Sequence, residues 1–179
     1  MRCTTLAAAA VAAACLMAGA PAIAAEFSAK FSGFQEIGGL GAGETGAIFS
    51  AAKANLDLDL HRSSATVTYK LTYTGFAMPV TQAHIHFGKN HVAGGIIVFL
   101  CTNLGNGPAG TPACPSPSGT VTGTITPASV VGPAAQNITP GNFDAFVAAL
   151  ESDTAYGNLH TTAFPAGEIR GQVRRDDDH

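Results

Sequence analysis

From Glu26 onward the hydrophobic positions recur at every second residue in short runs, which is the period of strands with one buried face. Phe27, Ala29 and Phe31 alternate with Ser28, Lys30 and Ser32. Thr45 to Ala54 reads as extended chain, and Asn55-Leu56-Asp57-Leu58-Asp59-Leu60 then alternates strictly, predicting a strand with Asp57 and Asp59 on its solvated face. Val67, Tyr69, Leu71 and Tyr73 alternate with Thr66, Thr68, Lys70 and Thr72, so the turn at His61 to Ser64 closes a hairpin. Ile96 to Leu100 is apolar throughout and partly β-branched, which predicts a strand buried on both faces at the centre of the core. Gly119 to Ile125 is a further short strand. The period changes once: Phe143, Phe146, Val147 and Leu150 fall at i, i+3, i+4 and i+7 behind the capping side chains of Thr139 to Asn142, predicting a helix packed on an end or edge of the sheets. Two last strands, from Ala155 to Thr162 and from Gly167 to Val173, flank a tight turn at Phe164-Pro165-Ala166. The expected fold is all-β, a Greek-key sandwich or barrel of about eight strands with one short helix.

Composition narrows the function. The chain of 179 residues suits one domain, and its 12% of charged residues beside 21 glycines and 10 prolines is the make-up of short strands joined by turns. A formal net charge of −3 with 9 Lys+Arg leaves no basic stripe to neutralise phosphates, so nucleic acid is not an expected partner. Gly38 to Gly43 has neither the spacing nor the following helix of a phosphate-cradling loop.

The first 25 residues read as a secretory signal peptide. Met1-Arg2 is a basic start, Leu6 to Met17 an alanine-rich apolar stretch, and Ala22-Ile23-Ala24 a cleavage site, with cutting expected after Ala24 or Ala25. The apolar run ends at Gly19-Ala20-Pro21, short of the ~20 residues a membrane span needs. A lipoprotein signal at Cys15 fits less well, because Ala12 and Leu16-Met17 stand where such signals carry other residues. The mature domain would cover 26–173, followed by a charged, disordered tail at 174–179, and the protein would be periplasmic or secreted. Removal of the signal leaves Cys101 and Cys114 flanking a loop of Gly, Pro, Asn and Thr. In an oxidising compartment these two are expected to form a disulfide, whose short closed loop is worth about 3 kcal/mol. Asn137-Ile138-Thr139 matches a glycosylation sequon, but Pro140 follows it.

Candidate chemistry concentrates in Gln82-Ala83-His84-Ile85-His86-Phe87-Gly88. On a strand His84 and His86 share a face, their backbones about 6.5 to 7 Å apart. Two neutral imidazoles so placed make half of a copper or zinc site, with His91 beyond the glycine as a further candidate; magnesium and calcium, which prefer oxygen, do not suit them. The same pair would equally serve as a hydrogen-bonded polar cluster tying loops together. Glu168 and Arg170, two apart on the last strand, share a face, and Arg170 is expected either to pair with Glu168 or to cap loop carbonyls near the histidines.

Three stretches together resemble the CHRD domain, the module named for its repeats in chordin and also found as a single exported bacterial domain. They are Ala83 to Gly88 with Gly94-Gly95-Ile96-Ile97-Val98, then Tyr156-Gly157-Asn158-Leu159-His160-Thr161, then Pro165-Ala166-Gly167-Glu168-Ile169-Arg170-Gly171-Gln172. The resemblance spans Glu26 to Val173 and departs from the commoner pattern at Gly157, where a bulkier residue is usual. It implies a β-sandwich or barrel and no assigned activity. A weaker similarity, to Cu/Zn superoxide dismutase, rests on Gly75-Phe76 followed by His84-Ile85-His86-Phe87-Gly88. By that likeness His84, His86, the Cys101/Cys114 loop, His160 and Arg170 would occupy the copper-ligand, disulfide and anion-guiding stations. The zinc loop does not carry over, since no histidine lies between Leu100 and Thr154, and dismutase activity is not expected. Two functions compete: a binding module holding one copper or zinc ion on His84, His86 and His160 with His91 as fourth ligand, or a protein-interaction or adhesion module in which the histidines, Glu168 and Arg170 form a structural polar cluster. Neither fixes the partner protein or the oligomeric state.

Overall fold

The computed structural model describes residues 25–37 and 46–176. Within them the strands are β1 (Ala25–Phe31), β2 (Lys53–His61), β3 (Thr66–Thr74), β4 (Val80–Phe87), β5 (Gly95–Thr102), β6 (Gly119–Ile125), β7 (Ala155–Thr161), β8 (Ile169–Gln172) and β9 (Arg174–Arg175), and the helix α1 is Phe143–Glu151. They form two antiparallel sheets, one of five strands in the order β6-β3-β2-β1-β9 and one of four in the order β5-β4-β7-β8. The chain crosses from the first sheet to the second between β3 and β4 and back between β5 and β6, so the result is a sandwich and not a closed barrel.

Alternation sets the core. In the hairpin, Leu56, Leu58 and Leu60 lie opposite Leu71, Tyr69 and Val67 on the inner face, while Asp57 faces Lys70 and Asp59 faces Thr68 on the outer one. Ala65, left-handed at φ 49°, ends the turn between them. The second sheet contributes Ala83, Ile85, Val98, Leu100, Leu159 and Ile169 to the same cluster, and α1 adds Phe143, Phe146, Val147 and Leu150 from its buried stripe. Asn142 caps that helix, its side chain accepting from the Ala145 amide at 3.1 Å. The two sheets are joined at one side, where Ser32 and Arg170 exchange backbone hydrogen bonds of 3.1 and 3.3 Å. Gly157 is required beside that seam: a Cβ there would stand 2.1 Å from the Phe31 ring.

Two expectations are corrected. The run Ile96 to Leu100 is not the centre of the core, because β5 is an edge strand, and Ile96 and Phe99 are only half-buried. Its free edge is covered by loop backbone, with the Val131 amide donating to Ile97 and the Thr102 amide to the Pro112 carbonyl, and a covered edge tolerates the apolar sequence of a central strand. The charged tail starts as structure, since Arg174–Arg175 pair with β1 as β9, the Asp176 amide donates to the Glu26 carbonyl, and its carboxylate accepts from Ser28. Residues 177–179, the glycine loop at 38–43, and the signal segment apart from Ala25 lie outside the described residues. Among the described residues no helix is long and apolar enough to cross a membrane.

Cys101 and Cys114 are bonded. Asn103 secures the loop they close, its side chain donating to the Val80 and Cys114 carbonyls and accepting from the Cys114 amide.

Candidate metal centre

The outward face of the four-stranded sheet carries polar side chains, as alternation requires of an outer face. His84 and His86 stand on β4, Tyr156, Asn158 and His160 on β7, and Arg170 and Gln172 on β8. Yet most of this face is closed off from water: Asn158 is 4% exposed, His160 6% and Arg170 1%, while His86 is half-buried. Three loops roof it. Glu36 reaches in from the segment after β1 and accepts from the Asn158 side chain at 2.7 Å. The β4–β5 loop sends the Gly94 carbonyl to His86 Nδ1 at 2.9 Å, and the β7–β8 loop sends the Pro165 carbonyl to His160 Nδ1 at 3.0 Å.

Those carbonyls decide the tautomers. A carbonyl oxygen only accepts, so Nδ1 of both His86 and His160 carries the proton and Nε2 of both holds a lone pair. His84 Nδ1 lies 3.2 Å from His160 Nε2, and it must be the donor of that contact. The three rings are close neighbours, with centroids 5.5 Å apart for His84 and His86, 4.9 Å for His84 and His160, and 6.4 Å for His86 and His160. One nitrogen from each lies within 4.8 Å of the other two. Two nitrogens on one ion at about 2.0–2.1 Å stand about 3.3 Å apart in a tetrahedral shell, so the His84–His160 spacing already suits shared coordination and His86 needs a small closure. The Nε2 atoms of His84 and His86 are buried without a hydrogen-bond partner. His84 is also flanked edge-on by Phe99, at 4.4 Å between centroids and 84° between planes.

Burial keeps the cluster neutral. Desolvation, with His160 and His86 beside it, pushes the His84 pKa down to about 2. Desolvation likewise lowers His86 and His160 to about 4, against the opposing effect of their carbonyl hydrogen bonds. All three therefore present unprotonated imidazole at neutral pH, the form that ligates copper or zinc.

The remaining predicted residues divide. His91 does not join the cluster: it is exposed in the β4–β5 loop with left-handed backbone at φ 61°. Glu168 is buried but turns away from Arg170, its carboxylate accepting from Ser50 and Thr161 at 2.6 Å each. Arg170 takes the second of its two expected roles, donating from Nη1 to the Val92 carbonyl at 2.9 Å and from Nη2 to the Lys89 carbonyl at 3.0 Å. Desolvation lowers its pKa, with Tyr156 and Glu36 acting the other way. Among the described residues no carboxylate lies within ion-pair distance of it.

Sequence reasoning missed Glu36, Tyr156, Asn158 and Gln172. A signal existed for two of them, because Tyr156 and Asn158 alternate with His160 on one face of a strand that is buried throughout. Gln172 donates to the carbonyls of Gly88, Asp153 and Ala155, which fixes the start of the β4–β5 loop.

Compared with known proteins, residues 27–173 match the family model of the CHRD domain. None of the curated proteins and none of the solved structures matches this chain.

Proposed function

This chain belongs to the CHRD-domain family, and from that premise we propose that it is an exported binding module that holds one copper or zinc ion on His84, His86 and His160. The observation that carries the reading is the convergence of three neutral, mostly buried imidazoles within 4.8 Å on a face where the lone pair of His86 Nε2 lacks a partner. Unpartnered buried nitrogens are costly in a finished polar cluster and are what a ligand set leaves for an ion. Carbonyl partners on Nδ1 of His86 and His160 supply the outer contacts that metal-ligating histidines use to fix tautomer and ring direction. Binding at His84 Nδ1 would move its proton to Nε2. Export is supported by the Cys101–Cys114 bond, which belongs to an oxidising compartment, and by the pattern of the first 25 residues.

A second reading has one observation in its favour. The hydrogen bond from His84, with the Pro165 carbonyl on the other nitrogen, satisfies the His160 ring without any ion, as a structural cluster in a protein-interaction module would. Metal analysis of protein purified without a histidine tag separates the two. One equivalent of copper or zinc is expected, lost in His84→Ala and retained in His91→Ala; less than a tenth of an equivalent after loading with either metal would leave the structural reading.

A further inference from the structure

His86 differs from the other two histidines in how it is held. Its ring lies parallel to Tyr156, at 4.8 Å between centroids and 6° between planes, and the Arg170 guanidinium covers the same tyrosine with Cζ 3.4 Å from the ring centroid. The Tyr156 hydroxyl accepts from the Gly94 amide at 3.0 Å and lies 3.4 Å from the Gly94 carbonyl. That carbonyl is the acceptor for His86 Nδ1. Residue 94 reaches it only as glycine, since a Cβ there would fall 1.7 Å from the Phe87 carbonyl oxygen. Arg170 meanwhile holds the carbonyls of Lys89 and Val92 in the same loop. Two routes therefore converge on one ring: a stack that sets its plane, and a clamped loop that sets its proton.

We propose that Arg170 and Tyr156 are positioning residues for His86, fixing it as the Nδ1-protonated tautomer with Nε2 turned toward His84 and His160. The inference rests on the metal-binding reading above but makes a claim of its own about the metal-free protein. Arg170 suits this task for a physical reason. Its planar fork reaches two carbonyls while its face lies on the tyrosine, whereas a lysine has one ammonium and no planar face to stack. The cost is a buried guanidinium with no carboxylate within ion-pair distance among the described residues, Glu36 acting on it only from further off.

The test uses the whole chain and two variants. Tyr156→Phe keeps the stack and removes the hydroxyl, and Arg170→Lys keeps the charge and removes the fork. Ring 15N and 1H shifts of His86 in metal-free protein report its tautomer, and competition with a chelator reports affinity for zinc. Wild type is expected to show a single Nδ1–H form. Arg170→Lys should mix the two tautomers and weaken zinc binding about 10–100-fold, the usual effect of losing an outer contact to a ligand, and Tyr156→Phe should do the same to a smaller degree. Leu58→Ala, in the other sheet, supplies a control that lowers Tm and leaves both readouts in place. A lowered Tm in Arg170→Lys with unchanged tautomer and zinc affinity would overturn the proposal. If Arg170→Lys does not fold, Tyr156→Phe decides by the same criterion. Failure of wild type to bind zinc or copper removes the metal reading, while the tautomer measurement still judges the positioning role.

Discussion

The outer faces of the two sheets obey the same alternation and meet opposite fates. On the hairpin of β2 and β3, outward residues such as Asp57, Lys70 and Thr72 stand in water. On β4, β7 and β8 the outward residues are equally polar, but three loops cover them, and Asn158, His160 and Arg170 are buried like the leucines on the inner side, at 6% exposure or less. A polar face under a roof must find a partner for each polar atom. Most of its groups do so through loop carbonyls, and the ones that do not are concentrated on the histidines and their neighbours Asn158 and Gln172. The comparison teaches that a sheet's period tells which residues share a face, while the loops decide whether that face is solvent or site.

The largest way to break this contrast lies in the shared core. Leu58→Ala removes a fully buried side chain between the sheets and should cost about 2–5 kcal/mol in chemical denaturation, because the surrounding strands cannot close the space. A cost under 1 kcal/mol would mean that the sheets do not pack on one another as described.

Acid sharpens the contrast next. In unfolded chain the three imidazoles titrate near 6.5, whereas in the folded, metal-free protein His86 and His160 resist protonation down to about 4 and His84 to about 2. Between those values the unfolded state binds protons that the folded state refuses, so stability is full above about pH 6.5 and falls as the pH drops toward 4. Urea unfolding of metal-free protein at pH 7.5, 6.5 and 5.5 should give a declining midpoint across a window above most carboxylate titrations. A flat profile would place the histidines in contact with water.

Smallest is the change on the open face. Asp57→Asn should alter stability by no more than about 0.5 kcal/mol, as surface substitutions do. A larger loss would show that this face too has a hidden partner.

Much of this was legible in the chain. Period two placed β1, the hairpin and the inward leucines; period 3.6 placed α1 by Phe143, Phe146, Val147 and Leu150; and the spacing of His84 and His86 put them on one face. What escaped depends on contacts far apart in sequence. Glu36 meets Asn158 across 122 positions, and Arg170 meets the Lys89 carbonyl across 81, and neither contact leaves a local pattern. Nearness in sequence suggests His91 as a fourth ligand, but it is exposed in the β4–β5 loop and outside the cluster, because nearness along a loop is not nearness in space. The Ile96 to Leu100 run misled because covering loops imitate a neighbouring strand, so hydrophobicity alone could not tell edge from centre.

The central claim is that one ion is shared by three rings on the roofed face, and anomalous diffraction from crystals of the zinc- or copper-loaded protein tests it most directly. The account predicts a single strong peak about 2.0–2.1 Å from one nitrogen each of His84, His86 and His160, with His91 outside the shell. A peak elsewhere on the molecule, or none among the three rings at full loading, would contradict it.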